Sequence, residues 1–317
     1  MNDQIRDAYD VVVTGGGAAG LNGALQLARS RRSVLVVDAG QPRNRPAHAV
    51  HGLLGHDGLP PAQLLARGRD EVRGYGGEVV TGAVAAVRGD LDSGFTVALA
   101  DGRTVRARRL LVTSGLVDEL PAIPGLRERW GRDVVHCPYC HGWEVRDQAI
   151  GVLASGPRSV HQALLFRQLS DDIVYFRRET VLGDAEAVQL AARGIRVVDG
   201  EVSALVIADD RLAGVRLADG SVVPRQAVTV GARMTARAGF LADLGLKPSE
   251  HPSGMGVHIP ADPAGRTEVP GVWAAGNVTD LFAQVGASAA AGALAGAVIN
   301  ADLVEEETRR AVEALAS

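Results

Sequence analysis

The 317-residue sequence predicts an α/β protein with two three-layer βαβ-type units, the first split by insertion of the second. Three observations carry that expectation. Near the N-terminus a β-branched run, a glycine turn, a helical pattern, a second apolar run and an acid follow without a break. A strand–helix–strand pattern returns at 149–176. A third strand-into-glycine segment, at 271–276, opens a long stretch of small residues.

Taken in order, Tyr9-Asp10-Val11-Val12-Val13-Thr14 is a short strand, followed by Gly15-Gly16-Gly17-Ala18-Ala19-Gly20. Leu21, Ala24, Leu25 and Ala28 then recur at helical spacing. Residues 33–37 form a second strand ending at Asp38. The stretch 41–59 is rich in Pro, Gly and His and reads as a loop; 64–75 reads as a helix. Strands are expected at 79–80, 83–88, 95–99 and 105–113, with Asp101-Gly102 as a hairpin turn. Pro121 and Pro124 mark a boundary. Beyond it come a strand at 149–154, a helix at 159–169 and strands at 172–176, 196–198, 204–207, 215–217 and 227–230. Asp219-Gly220 marks another hairpin, and small residues from about Gln284 onward read as a long helix. The expected division is 1–118 with 245–317 for the first unit and 119–244 for the second.

The chain carries 46% hydrophobic and 22% charged residues and a formal charge of −4, which excludes collagen-like, disordered and disulfide-scaffold classes. Its mild, mixed charge points away from nucleic acid and anionic membranes. The opening MNDQIRDAYD lacks the basic and apolar regions of a signal peptide. The alanine-rich stretch 287–299 is too short for the roughly 20 apolar residues that span a bilayer. The expected compartment is the cytoplasm, where thiols stay reduced.

Gly15-x-Gly17-x-x-Gly20 has dinucleotide spacing. The first glycine permits the tight turn, the second lets backbone N–H groups approach a diphosphate, and the third allows close helix packing. Asp38, 18 positions after Gly20, stands where an acid hydrogen-bonds a ribose. The alternative is a glycine turn with no ligand.

Cys137-Pro138-Tyr139-Cys140-His141 holds the only two cysteines. A C-x-x-C can be a redox dithiol. C-x-x-C-H is also the c-type haem attachment pattern, which requires export. Zinc would need ligands beyond His136 and His141, and there is no second C-x-x-C; no metal is expected. Two buried structural cysteines are the remaining alternative. Gly276-Asn277-Val278 follows the strand at 272–275; it could meet the same nucleotide or simply allow tight helix packing.

In this order the three motifs resemble the low-molecular-weight thioredoxin reductases, over nearly the whole chain. The resemblance implies two Rossmann-like (three-layer ββα) nucleotide-binding domains, a discontinuous FAD domain, a central NADPH-domain-like unit carrying the dithiol, and a homodimer. Thr113-Ser114-Gly115 looks like the family's Ala-Thr-Gly turn. It implies FAD contacts at Gly15, Gly17, Ala18, Ala19, Gly20, Asp38, Ala39, Gly40, Gln41, Arg45, His51, Val84, Ser114, Gly115, Gly276, Asn277, Gln284 and Val285.

The departures matter. Where the family has Gly-x-Gly-x-x-Ala for NADPH, the chain reads Leu153-Ala154-Ser155-Gly156-Pro157-Arg158-Ser159. Ala154 replaces the first glycine and Pro157 removes a backbone donor. The pair Arg177-Arg178 could hold a 2′-phosphate or be a solvated strand end. His141 stands where the family has an acid, and Gly276-Asn277 where it has Gly-Asp. An intact FAD turn and dithiol beside a degraded NADPH turn resemble the dithiol oxidase branch, which closes disulfides in natural products such as gliotoxin and holomycin. The expectation is an FAD-dependent dithiol oxidase. A small-molecule dithiol attacks Cys137, the pair passes two electrons to FAD through Cys140, His141 moves protons, and O₂ becomes H₂O₂. The alternatives are an NADPH-dependent thioredoxin reductase, a reductase fed by another donor, and a flavin redox sensor. His48, His51 and His56 in the histidine-rich loop have no assigned role.

Overall fold

The computed structural model describes residues 5–316. In chain order, β1 (Ala8–Thr14), α1 (Ala18–Arg29), β2 (Val34–Asp38), α2 (Pro61–Gly74), β3 (Glu78–Thr81), β4 (Val84–Asp90), β5 (Gly94–Leu99) and β6 (Thr104–Val112) come first. A connecting strand β7 (Leu116–Glu119) leads to β8 (Val134–Val135), α3 (Pro138–His141), β9 (Ile150–Leu153), α4 (Ser159–Phe166), β10 (Ile173–Phe176), α5 (Asp184–Ala192) and β11 (Arg196–Val198). Then follow β12 (Val202–Ala208), β13 (Arg211–Leu217), β14 (Val222–Pro224) and β15 (Ala227–Val230). The chain returns through β16 (Arg233–Ala236), β17 (Ser249–Glu250) and β18 (Gly256–His258) to β19 (Val272–Ala274) and α6 (Val285–Ala316).

Strand β6 organises the first sheet. Its first half pairs antiparallel with β5, its last three residues pair parallel with β19, and β1 runs parallel along it. The parallel layer β3-β2-β1-β6-β19 is thus covered by the β4-β5-β6 meander on one side and by helices on the other. The period of two along β1 feeds both. Val11 and Val13 join Leu21, Ala24, Leu27 and Ile299 under the helices, while Val12 joins Phe95, Val97, Leu110 and Val112 under the meander. Burial on both faces explains why β1 reads as an unbroken apolar run.

The second unit has an all-parallel sheet β11-β10-β9-β15-β8 and an antiparallel β12-β13-β14 sheet. The two chain crossings meet in one small sheet, where Leu116 on β7 pairs with Ala236 on β16.

The small residues from about Gln284 onward form the long helix α6, whose 32 residues include an 18-residue window apolar enough to cross a membrane by that measure alone, although the alanine-rich 287–299 stretch is too short to do so. Its contacts are those of a core helix. A Cβ on Gly292 would lie 1.9 Å from the Ala19 carbonyl oxygen, and one on Gly296 would lie 2.6 Å from that of Gly23. Backbone-to-backbone approach of α1 and α6 therefore requires glycine on this ridge. Buried Arg109 fastens the far end, through Asp302 at 2.6 Å and Glu306 at 2.7 Å.

Candidate active site

At the end of β1 the chain turns on Gly15 with φ +109°. A Cβ there would fall 2.4 Å from the Thr113 carbonyl oxygen, and one on Gly20 would fall 1.9 Å from that of Gly15. Both glycines are demanded by the protein itself. Gly17 differs: a Cβ on it would meet no protein atom within 4 Å. The space it leaves free belongs to the cleft, at the start of a helix with no side-chain cap. Backbone donors at an uncapped helix start with open space before them suit a diphosphate. Thr113 ties the turn to β6, its hydroxyl donating to the Gly15 carbonyl at 2.9 Å. Asp38, at the end of β2, accepts the Gly40 N–H at 3.0 Å, and its carboxylate edges the same turn. This donor and acceptor set fits FAD.

The cleft has a volume of about 480 Å³. Its wall includes Gly15, Gly17, Ala18, Ala19, Asp38, Ala39, Gln41, His51, Val84, Ser114, Gly115, Gly276, Asn277, Gln284 and Val285, together with Cys137, Cys140 and His141. Three of the expected cofactor residues do not line it. Gly20 is packed behind the turn, against Gly15. Gly40 is a turn residue at φ +68°. Arg45 faces a neighbouring groove with Arg127 and Arg237. Gly276 lines the cleft, and a Cβ on it would press within 2.8 Å of the Ala19 side chain.

Cys137 and Cys140 form a disulfide across the single turn of α3, with Cα atoms 5.2 Å apart. Cys137 starts the turn, and its Sγ accepts the Cys140 N–H at 3.2 Å. That bond supports negative charge on Cys137 when the pair is reduced. His141 is half-buried beside the pair. Burial pushes its pKa down, the Glu144 carboxylate opposes this, and the charges of His51 and His48 push it further down. His136 serves the fold: its ring Nδ1 lies 3.2 Å from the Val230 carbonyl, and its own carbonyl accepts from Gln162 at 2.6 Å. Burial holds its pKa down as well. Among the described residues no group of three His, Cys, Asp or Glu side chains is placed to hold a metal.

The second glycine turn is satisfied from within. The backbone N–H groups of Ser155 and Gly156, which a diphosphate would occupy, donate to Ser159 Oγ at 3.0 and 3.2 Å. Arg178 donates to the Ala154 carbonyl at 3.0 Å. Arg177 pairs with Asp199 at 2.5 Å. Arg158 stacks over the Phe282 ring at 4.8 Å, and Phe282 borders the FAD-side cleft.

Sequence reasoning missed Arg43 and Asp118 in the wall, and Glu144 outside it. Arg43 makes a bidentate pair with Asp118 at 2.8 and 2.7 Å and donates to the Leu281 carbonyl at 3.2 Å. Both partners lie in irregular or edge segments with no periodic signal. Asn277, noted as a departure, donates its amide to the Asp280 and Ala283 carbonyls at 3.0 and 2.9 Å. An aspartate could not make those two bonds. Glu144 had a signal: it follows His141 by three residues, one helical turn.

A family profile described as pyridine nucleotide-disulphide oxidoreductase matches residues 9–296. The chain is 31% identical to thioredoxin reductase tcpT of Claviceps purpurea over 312 residues, covering 94% of this chain and 95% of that protein. It is 30% identical to thioredoxin reductase sirT of Leptosphaeria maculans over 309 residues, covering 92% and 93%. Among solved structures, HlmI superposes with a TM-score of 0.92 at 48% identity, over 99% of this chain and 98% of that one. An oxidoreductase from Agrobacterium tumefaciens gives 0.88 at 37% identity, over 94% and 99%. With an FAD-compatible turn and a disulfide lining one cleft, the chain belongs to the pyridine nucleotide-disulphide oxidoreductase family, as an FAD-dependent disulfide oxidoreductase.

Proposed function

We propose that the protein is a dithiol oxidase that closes an intramolecular disulfide in a small-molecule dithiol, with O₂ as the terminal acceptor. One observation carries this reading. The dithiol shares a cleft with an open dinucleotide turn, while the donors of the second dinucleotide turn are occupied by Ser159 and its arginines by neighbouring groups. The names of the curated relatives favour an NADPH-dependent thioredoxin reductase instead; the occupied second turn counts against it.

A substrate thiolate attacks Cys137 Sγ, a mixed disulfide forms, and Cys140 leaves as a thiolate. The second substrate thiol loses its proton to His141 and attacks the substrate sulfur of the mixed disulfide. Cys137 then leaves as a thiolate, supported by the Cys140 N–H. The substrate has lost two electrons and two protons, and the cysteine pair has gained two electrons. His141 is fitted to accept a proton near neutrality, because burial holds it below the usual histidine range. Gly15, Gly17 and Asp38 would hold FAD, which would supply the two-electron link from the reduced cysteine pair to O₂ and so account for one H₂O₂ per disulfide formed.

The same reading takes 1–118 with 245–317 as the FAD domain and 119–244 as the central domain, in a cytoplasmic homodimer. Exposed Leu294, Val304 and Val312 on α6 supply apolar surface for the second copy. Cys140→Ser tests the chemistry. The variant keeps FAD bound and forms no substrate disulfide; continued turnover overturns the scheme.

A further inference from the structure

The His51 ring lies between two carboxylates. Asp57 Oδ2 is 3.3 Å from Nδ1, and Glu144 Oε1 is 3.3 Å from Nε2. The two acids come from different segments. Asp57 shares the histidine-rich loop and is held there by the Gly52 N–H, at 3.0 Å from Oδ1. Gly52 sits at φ +71°, a conformation that glycine adopts without strain. Glu144 lies in the 3-10 turn Trp143–Val145, directly after the dithiol and His141. His51 therefore joins the loop to the dithiol hairpin, and both His51 and His141 line the cleft.

The charged and titratable groups acting on His141 are Glu144, His51 and His48. Glu144 alone among them favours a proton on His141, and His51 shares that carboxylate. A neutral imidazole donates from only one nitrogen, so it satisfies one of its two carboxylates at a time; a protonated ring satisfies both. When His51 donates to Glu144, the carboxylate's charge is partly compensated and its support for His141 falls.

We propose that His51 is a positioning residue that, by holding Glu144, sets the pH at which His141 exchanges protons with the Cys137–Cys140 pair. The proposal rests on the reading of His141 as the proton acceptor.

The test uses the holoenzyme, reduced anaerobically with dithiothreitol and desalted. Alkylation of Cys137 by iodoacetamide is followed by peptide mass spectrometry from mildly acidic to neutral pH. No substrate turnover is needed, so failure to oxidise dithiols and failure of this proposal give separate signals. His51→Ala leaves Glu144 free to support His141 and moves the His141-linked limb up by roughly 0.5 pH unit. Glu144→Gln moves it down, and in the Glu144→Gln background His51→Ala moves it by less, because only the direct effect of the His51 charge on His141 remains there. An unmoved limb in His51→Ala, or a His51→Ala shift of undiminished size in the Glu144→Gln background, overturns the proposal. If His51→Ala loses its fold, Glu144→Gln and His51→Gln carry the test. His51→Gln keeps a donor for Glu144 and moves the limb less than Glu144→Gln does. A limb indifferent to Glu144→Gln overturns the proposal in that case too.

Discussion

Ser159 Oγ accepts the backbone N–H of Ser155 at 3.0 Å, so a side chain of the protein stands where the phosphate of a second nucleotide would be cradled. Removing it tests whether it is a plug or a cap. Ser159→Ala strips the acceptor from the Ser155 and Gly156 amides and costs about 1 kcal/mol, the net worth of a part-buried hydrogen bond. Thermal unfolding shifts down by roughly 2–4 °C. NADPH affinity does not appear, since Pro157 still lacks its donor and Arg177 still pairs with Asp199. Gain of NADPH-driven flavin reduction in this variant alone would show that the turn is merely plugged.

The two glycines of the first turn separate cofactor binding from folding. Gly17→Ala places a methyl in the cleft and touches no protein atom within 4 Å. It weakens FAD retention on gel filtration while leaving the unfolding midpoint of the FAD-free protein near wild type. Gly20→Ala drives a methyl into the Gly15 carbonyl and costs several kcal/mol of stability. Equal loss of stability in both variants contradicts the assignment of Gly17 to the ligand.

Buried Glu306 gives the fold an acid-sensitive fastening. Burial alone raises its pKa, but Arg109 and Arg108 outweigh burial and hold it below the usual carboxylate range. A lowered folded-state pKa means the stabilisation is present above the unfolded value of about 4.3 and is lost as pH falls through the folded value. Unfolding titrations in urea should therefore lose stability steeply below about pH 4.3. Glu306→Gln removes part of that acid dependence and costs about 2 kcal/mol at neutral pH, read from the same titrations. An acid profile unchanged by Glu306→Gln contradicts this role.

The parts of the site that were legible in the sequence share a cause: local geometry forces a residue type. Gly15 needs a positive φ, Gly20 needs contact with a carbonyl, and the Cys137–Cys140 spacing closes over one helical turn. The β1 strand and α1 helix were readable because their apolar periods are strong. What was not legible depends on contacts between distant segments. Arg45 belongs to a loop, and nothing local says that it turns to the groove shared with Arg127 rather than to the cleft. His51 gains its partners only when the 47–58 loop meets Glu144. The split pairing of β6, with β5 along one half and β19 along the other, joins strands more than 160 residues apart and leaves no local trace. Ala154 and Pro157 were visible as departures, but their meaning came from Ser159, which only the fold brings back onto the Ser155 and Gly156 amides.

The central claim is that electrons enter from a small dithiol and not from NADPH. It is tested most directly by anaerobic titration of the FAD-loaded protein, followed through the flavin absorbance band. A small dithiol such as dithiothreitol should bleach the flavin within seconds, and NADPH in excess should leave it oxidised. Readmission of air should restore the band and yield one H₂O₂ per dithiol oxidised. Rapid bleaching by NADPH, with transfer of the electrons to a protein disulfide, would contradict the account.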